Sequence, residues 1–387
     1  MNRLPLSPAF PSLHPVAKWA HRLRPMVVMV FISLGLLACR PDDELDDDDP
    51  LPARPAAVLI DGCSLDGQQG ATLRGMPARS VLSEVILLCL SLDDQGSATP
   101  REGTSDAALG ATITELRQLG YTVGLGVTAV DSDDDEQTKE DLSAWFAQSA
   151  FRSRSVAALA SYAAQADSLQ IALPELLPSS RTDLSAWVTA LSLRLRPAKR
   201  LGIFVPPSLR EPSDQPGGDA YDLAALRPRV DRLRLLTVEA GSGEAPGPTF
   251  DADWTKSVAA FALGKLPAIS LDVAVPLYGV DFQLQPGGSR TITDETTLSF
   301  AEATALLKKY GKMPEGEVGE ARHFSYQDGS GNAHEVWYED SDSIIDGLGE
   351  LSTDVLPESV GLVFVGLGGE DGGLFADLAE ALAKDVE

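Results

Sequence analysis

From residue 56 onward, short apolar runs alternate with stretches whose apolar positions recur at helical spacing. The runs AAVLIDG (56–62), SEVILLCLSL (83–92), YTVGLGVTAV (121–130) and ADSLQIALPEL (166–176) predict four strands. RLGIFVPP (200–207), VDRLRLLTVE (230–239), AISLDVAVPLYG (268–279) and GLVFVGLGG (361–369) predict four more. Helical spacing marks 106–120, one long segment over 139–166, 181–197 and 254–264. Strands that are apolar at nearly every position are buried on both faces, so the pattern is that of a parallel sheet covered by helices. Repeated strand–helix units on this scale favour a closed (β/α)8 TIM barrel over an open sheet, here spanning 57–387. One segment breaks the rhythm. Residues 283–340 carry a helical stretch and then alternating strands around DGSGN, a hairpin signature. This predicts a small α+β insertion between strands seven and eight.

The start of the chain has a different pattern. Residues 1–25 hold Arg3, Lys18, Arg22 and Arg24 and no acid, and the apolar run MVVMVFISLGLLA (26–38) follows. That run is short for a membrane span and suits the core of a signal peptide. It ends in Leu36, Leu37, Ala38 and Cys39, which resembles the lipobox of bacterial lipoproteins. The resemblance implies a signal peptide over 1–38 and lipidation at Cys39; a generic signal peptide cut elsewhere is the alternative. Arg40, rather than an aspartate, favours the outer membrane over the inner, without saying which face. A single lipid would anchor an otherwise soluble domain. Residues 39–56 follow as a tether: seven of the eight residues 42–49 are acidic and prolines flank them, so self-repulsion keeps the segment extended.

The 387 residues carry a formal net charge of -26, which removal of 1–38 deepens by four. With no basic stripe to compensate, nucleic acid is not an expected partner. Cys63 and Cys89 are the remaining cysteines. An oxidising compartment permits a disulfide between them, but Cys89 sits in an apolar strand-like run, which favours two separate buried thiols. No metal or cofactor is expected. His14 and His21 lie in the signal region and His323 and His334 in the insertion, and DSDDDE (131–136) lacks the glycine and spaced glutamate of a calcium loop. No phosphate-binding glycine loop follows a suitable strand, and no Ser-His-Asp arrangement stands out.

RLGIFVPPS, PLYGVDF, FSYQDGSGNAHEVWYEDSDSI and VGLVFVGLGGED occur in an order that resembles glycoside hydrolase family 18. The likeness is strongest to its chitinase-like and spore-cortex-lytic bacterial branch, and it covers roughly 57–380. It implies a (β/α)8 barrel with an α+β insertion after strand seven. It also implies a strand-four motif D-G-x-D-x-D-x-E, whose glutamate is the general acid and whose preceding aspartate orients the substrate's own acetamido nucleophile. On this chain Asp167 and Ser168 take the first two places, Gln170 and Ala172 the next two acidic ones, and Pro174 that of the glutamate. Proline cannot donate a proton and alanine cannot orient an acetamido group. Strand alternation sends 170, 172 and 174 into the barrel and Glu175 out of it. At strand six the family's tyrosine and aspartate are replaced in Leu236-Thr237-Val238-Glu239, and at strand eight Val365 stands where a tryptophan would floor the sugar site.

These absences imply a degenerate site with no catalytic residue, Glu175 and Glu239 being the fallback acids. Tyr278, Glu239, Glu370 and Asp371 are the ligand-binding candidates; a structural role, such as helix capping by Glu370 and Asp371, is the plainer reading of each. The expectation is an outer-membrane lipoprotein whose barrel binds a glycan, chitin-like or peptidoglycan, or an envelope protein. Two alternatives stay open: an active glycosidase on N-acetylglucosamine-containing polymer, and a scaffold whose cleft is filled by side chains.

Overall fold

A computed structural model describes residues 51–383, apart from 52, 130–135, 210–218, 239–244, 288, 317–319 and 353–355. The signal-peptide, lipidation and tether expectations, the DSDDDE loop and Glu239 therefore lie outside the described residues. Eight parallel strands close on themselves: Ala56–Asp61, Glu84–Leu92, Thr122–Ala129, Ser168–Ile171, Arg200–Val205, Arg232–Leu235, Leu271–Pro276 and Gly361–Val365. The first pairs with both the second and the eighth, which completes the (β/α)8 TIM barrel. Side chains that alternate outward, such as Leu169 and Ile171 on strand four, meet the surrounding helices in the main core. Those that alternate inward fill the barrel.

The predicted helix over 139–166 is two helices, Glu136–Ala147 and Ser149–Ala163, parted at Gln148, whose backbone is extended. The insertion between strands seven and eight is also larger at its start than the pattern indicates. It begins at Gly279, and two strands, Gly279–Leu284 and Ile292–Leu298, precede the helix Phe300–Lys309. With the hairpin Arg322–Gln327 and Ala333–Tyr338 they form a four-stranded antiparallel sheet. The hairpin turn is the one the sequence predicts. Asp328 accepts hydrogen bonds from the Ser330 and Asn332 amides (2.9 and 2.8 Å), and Gly331 takes a positive φ of 86°.

Cys63 and Cys89 form a disulfide, contrary to the expectation of two separate thiols. Strands one and two are neighbours, so their ends bring the two Cα atoms to 4.6 Å despite 26 residues of intervening chain. The strand register shifts between Leu88 and Leu90, so Cys89 sits in an irregularity of the ladder rather than in an unbroken buried strand.

The lower half of the barrel interior is charged. Arg234 on strand six is 1% exposed and ion-pairs with Glu84 on strand two (2.5 Å) and Asp272 on strand seven (3.4 Å). Ser168 donates to Glu84 (3.0 Å), and the Gln170 amide donates to Ser168 (2.9 Å). Gly202 leaves the space this amide occupies, since a Cβ there would collide with it. Burial pushes the Glu84 carboxyl up, but the Arg234 charge and hydrogen bond overrule it and hold Glu84 below its ordinary value. Burial lifts Asp272 above its ordinary value, and the nearby arginines offset this only in part.

Removing one member of a buried charge cluster leaves the others uncompensated. Arg234→Leu is expected to cost about 3–5 kcal/mol in chemical denaturation, and a loss under ~1 kcal/mol would show that the cluster does not hold the floor together.

Candidate functional site

Barrels of this architecture carry their sites at the C-terminal ends of the strands. Here that end is floored by apolar side chains from several strands: Leu59, Leu88, Phe204, Val238, Tyr278 and Val365, all buried. Ala172 and Leu236 are half-buried against the same cluster.

Strand four decides what enters this mouth. Ser168 and Gln170 face into the barrel, and Ala172 joins the mouth cluster; Leu169, Ile171 and Leu173 face the helices. The register places a methyl group at the position where the resemblance puts an acetamido-orienting aspartate. The strand ends at Ile171, so the following residues are freed from strict alternation. Pro174 is buried and its carbonyl accepts from the Tyr221 hydroxyl at 3.1 Å. The Glu175 carboxylate ion-pairs with Lys139 at 2.7 Å, on the helix Glu136–Ala147 outside the barrel. Asp167 lies at the opposite end, where it binds Arg117 (2.8 Å) and the Val123 amide (2.9 Å). Burial pulls the Asp167 carboxyl up, but these hydrogen bonds and the nearby cations bring it below its ordinary value.

The ligand-binding candidates do not form one constellation. Tyr278 is packed in the mouth floor, and a Cβ on Gly366 would lie 2.9 Å from its ring. Glu370 is 8% exposed and accepts from the Gly368 amide (2.6 Å) and the Thr72 hydroxyl (3.4 Å), tying the loop after strand eight to the helix after strand one. Burial raises its carboxyl above the ordinary glutamate range. Asp371 accepts from the Ser341 hydroxyl (3.1 Å) and the Gly373 amide (3.3 Å), next to the start of the helix Ser341–Ser352. Among the described residues no cluster of three or more histidine, cysteine or acidic side chains could hold a metal ion.

The insertion sheet supplies a wall that the sequence reading did not single out. One face, carrying Phe324, Tyr326 and Val336, packs on the insertion's own helix. The other, carrying Val280, Phe282 and Trp337, packs on the mouth cluster. On this second face the His323 ring stacks on Trp337, with centroids 4.3 Å apart and planes at 13°. The Trp337 indole donates to Glu335 (2.8 Å), which Arg290 grips through two nitrogens (2.5 and 3.2 Å). The signal was present in AHEVWY: with a period of two, Glu335 and Trp337 share a face.

Glu339, just beyond this strand, is fully enclosed and accepts from the Thr249 hydroxyl (2.9 Å) and the Phe250 amide (3.1 Å). It thereby fixes the far end of the loop that follows strand six. Burial raises its carboxyl above the ordinary range, despite hydrogen bonds that pull it down.

No family model matches the chain. A cortical fragment-lytic enzyme of Bacillus subtilis is 30% identical over 131 residues, 33% of this chain and 29% of that enzyme. The matched segments span between 28% and 39% of the curated relatives' own lengths. The structure of the Bacillus cereus spore cortex-lytic enzyme SleL superposes over 86% of this chain and 75% of that one, with a TM-score of 0.68 at 18% identity. A chitinase-like agglutinin from Robinia pseudoacacia superposes over 84% and 99%, with a TM-score of 0.62 at 12% identity. The fold is that of the chitinase-like barrels. Among the described residues, Ser168, Gln170 and Ala172 are the strand-four side chains on the barrel interior.

A group whose folded-state pKa is raised contributes stability below its unfolded value and loses it as pH climbs through the folded one. Glu339→Gln keeps an acceptor and cannot ionise. Its melting temperature is expected to match the parent's near pH ~4 and to exceed it increasingly towards pH ~7. A parent more stable than the variant at neutral pH would contradict the burial account.

Proposed function

We propose that this chain is a lipid-anchored protein of the cell envelope, in the outer membrane, whose chitinase-like barrel binds a glycan without cleaving it. The observation that carries the reading is the pairing of a dismantled strand four with an intact aromatic wall. Ala172 packs into the mouth floor and Glu175 is drawn outward to Lys139, so neither offers the reaction a carboxylate in the mouth. Substrate-assisted cleavage needs both a proton donor and a group to hold the acetamido oxygen, and loss of either removes most of the rate. Glu239, outside the described residues, is the carboxyl on which an active reading would rest.

Across the mouth, the stacked His323 and Trp337 rings and the Arg290–Glu335 pair offer what sugar recognition uses: apolar faces for the ring carbons and planar polar groups for hydroxyls. The relatives' names point to glycans as the ligand class, and the resemblance to chitinase-like proteins to N-acetylglucosamine polymers, whether chitin-like or peptidoglycan. That one neighbour of the same fold is named an agglutinin supports binding as a use of this barrel. The anchoring part of the proposal rests on the 26–38 apolar run ending at Cys39, and the Cys63–Cys89 disulfide is in keeping with an oxidising compartment.

A second reading has its own observation. Val238, Tyr278 and Val365 are buried in the mouth floor, which favours a scaffold with a filled cleft. Calorimetric titration with chitooligosaccharides and soluble peptidoglycan fragments separates the two. The proposal predicts binding that Trp337→Ala weakens by about tenfold, ~1.4 kcal/mol. No binding of either ligand by the parent protein would overturn it in favour of the scaffold.

A further inference from the structure

The base of the barrel, opposite the mouth, carries a cationic surface on a strongly acidic chain. In residues 193–200 and 227–232, seven side chains are basic and one, Asp231, is acidic. The first segment closes the helix Arg181–Leu195 and leads into strand five; the second leads into strand six. They meet at Arg196, which reaches the Pro228 carbonyl (3.3 Å) and the Asp231 carboxylate (2.9 Å). Arg232 extends the contact to the turn before strand seven by donating to the Ile269 carbonyl (2.6 Å), while also pairing with Asp272. The barrel needs some of these cations for its own acids. It does not use Arg194, Arg227 and Arg229, which make no ion pair among the described residues and are exposed or half-exposed. Two large apolar side chains stand beside them: Leu193 is 71% exposed and Ile269 is 69% exposed.

The end of the barrel matters as much as the charge. Leu51 bonds the Ala381 carbonyl through its amide and leads directly into the start of strand one, so the chain enters the barrel at this same base. The eleven residues 40–50 separate Leu51 from Cys39. If Cys39 carries the lipid, the base is the end that faces the bilayer, and the mouth faces away from it. Arginines with apolar neighbours form the pairing that binds an anionic headgroup layer, the cations reaching phosphates and the apolar tips entering the interface.

We propose that this base is a membrane-docking surface that recognises anionic phospholipid headgroups and sets the barrel upright, with its mouth directed away from the lipid. The orientation rests on the anchored reading given above; the headgroup affinity does not. The acidic run at 42–49 closely precedes Leu51 in the sequence and is the competing occupant.

The test uses the chain from residue 39 onward carrying Cys39→Ser, so that no lipid contributes. It is sedimented with vesicles of phosphatidylethanolamine and phosphatidylglycerol, and with vesicles of phosphatidylcholine alone. Binding is expected to the anionic vesicles only and to fall as salt is raised to about 0.5 M. The triple variant Arg194→Glu, Arg227→Glu, Arg229→Glu is expected to lose at least about tenfold in partitioning, with an unchanged melting temperature. Leu193→Ser with Ile269→Ser is expected to weaken binding at fixed salt. Equal binding to both vesicle types, an unchanged triple variant, or no binding by the parent would overturn the proposal. Binding that emerges only after the acids of 42–49 are neutralised would overturn it too, by showing that the tether covers the patch. Labelled palmitate incorporation at Cys39 in the unaltered chain reports separately on the anchor.

Discussion

The two-residue alternation of the fourth strand is the constraint on which the rest of this molecule turns. Inside a closed parallel barrel each side chain must point either to the interior or to the helices, and a one-residue slip would expose apolar groups to the charged floor. Leu169, Ile171 and Leu173 are claimed by the helical layer. Ser168 and Gln170 are claimed by Glu84 and, through it, by Arg234. Both sets lock the same register. Once it is locked, Ala172 is the residue at the mouth, and Glu175 falls where Lys139 can take it. The side chains that this strand presents to the barrel interior are thus a packing consequence. Glu175 lies beyond the strand's end, and its pair with Lys139 is what holds that carboxylate outside the barrel.

The same barrel is divided along its axis. Its floor is polar and fully enclosed, held by one arginine shared between two carboxylates, and its mouth is apolar and faced by aromatic rings. A polar floor under an apolar mouth is stable because the charges compensate one another where water is excluded, and the apolar groups lie where an enclosed surface is needed. The insertion completes the arrangement. Its sheet spends one face on its own helix and the other on the barrel, so it stands as a fixed wall beside the mouth.

Most of the barrel was legible in the sequence, because a strand buried on both faces leaves an apolar run that periodicity detects. What escaped shares a physical cause: the deciding contacts are between residues distant in sequence. Cys63 and Cys89 look unrelated until strands one and two lie side by side. Arg234, Asp272 and Glu84 interrupt apolar strands singly, and only closure of the barrel brings them together. The strand Ile292–Leu298 is polar on both faces, so it carries no alternation to detect. Trp337 could be assigned to a face from its own strand, but its position over the mouth depends on where the whole insertion docks. The strand-four alternation, by contrast, is local, so the faces taken by Leu169, Gln170 and Ile171 are legible from the strand alone.

The proposed reading holds that no group in the mouth protonates a glycosidic oxygen. Its most direct test is hydrolysis of an N-acetylglucosamine oligomer bearing a chromogenic leaving group by the purified protein, at concentrations that saturate binding. The account predicts release indistinguishable from the uncatalysed rate across the acidic and neutral range. Sustained turnover that Glu175→Gln or Glu239→Gln abolishes, while binding is retained, would contradict it.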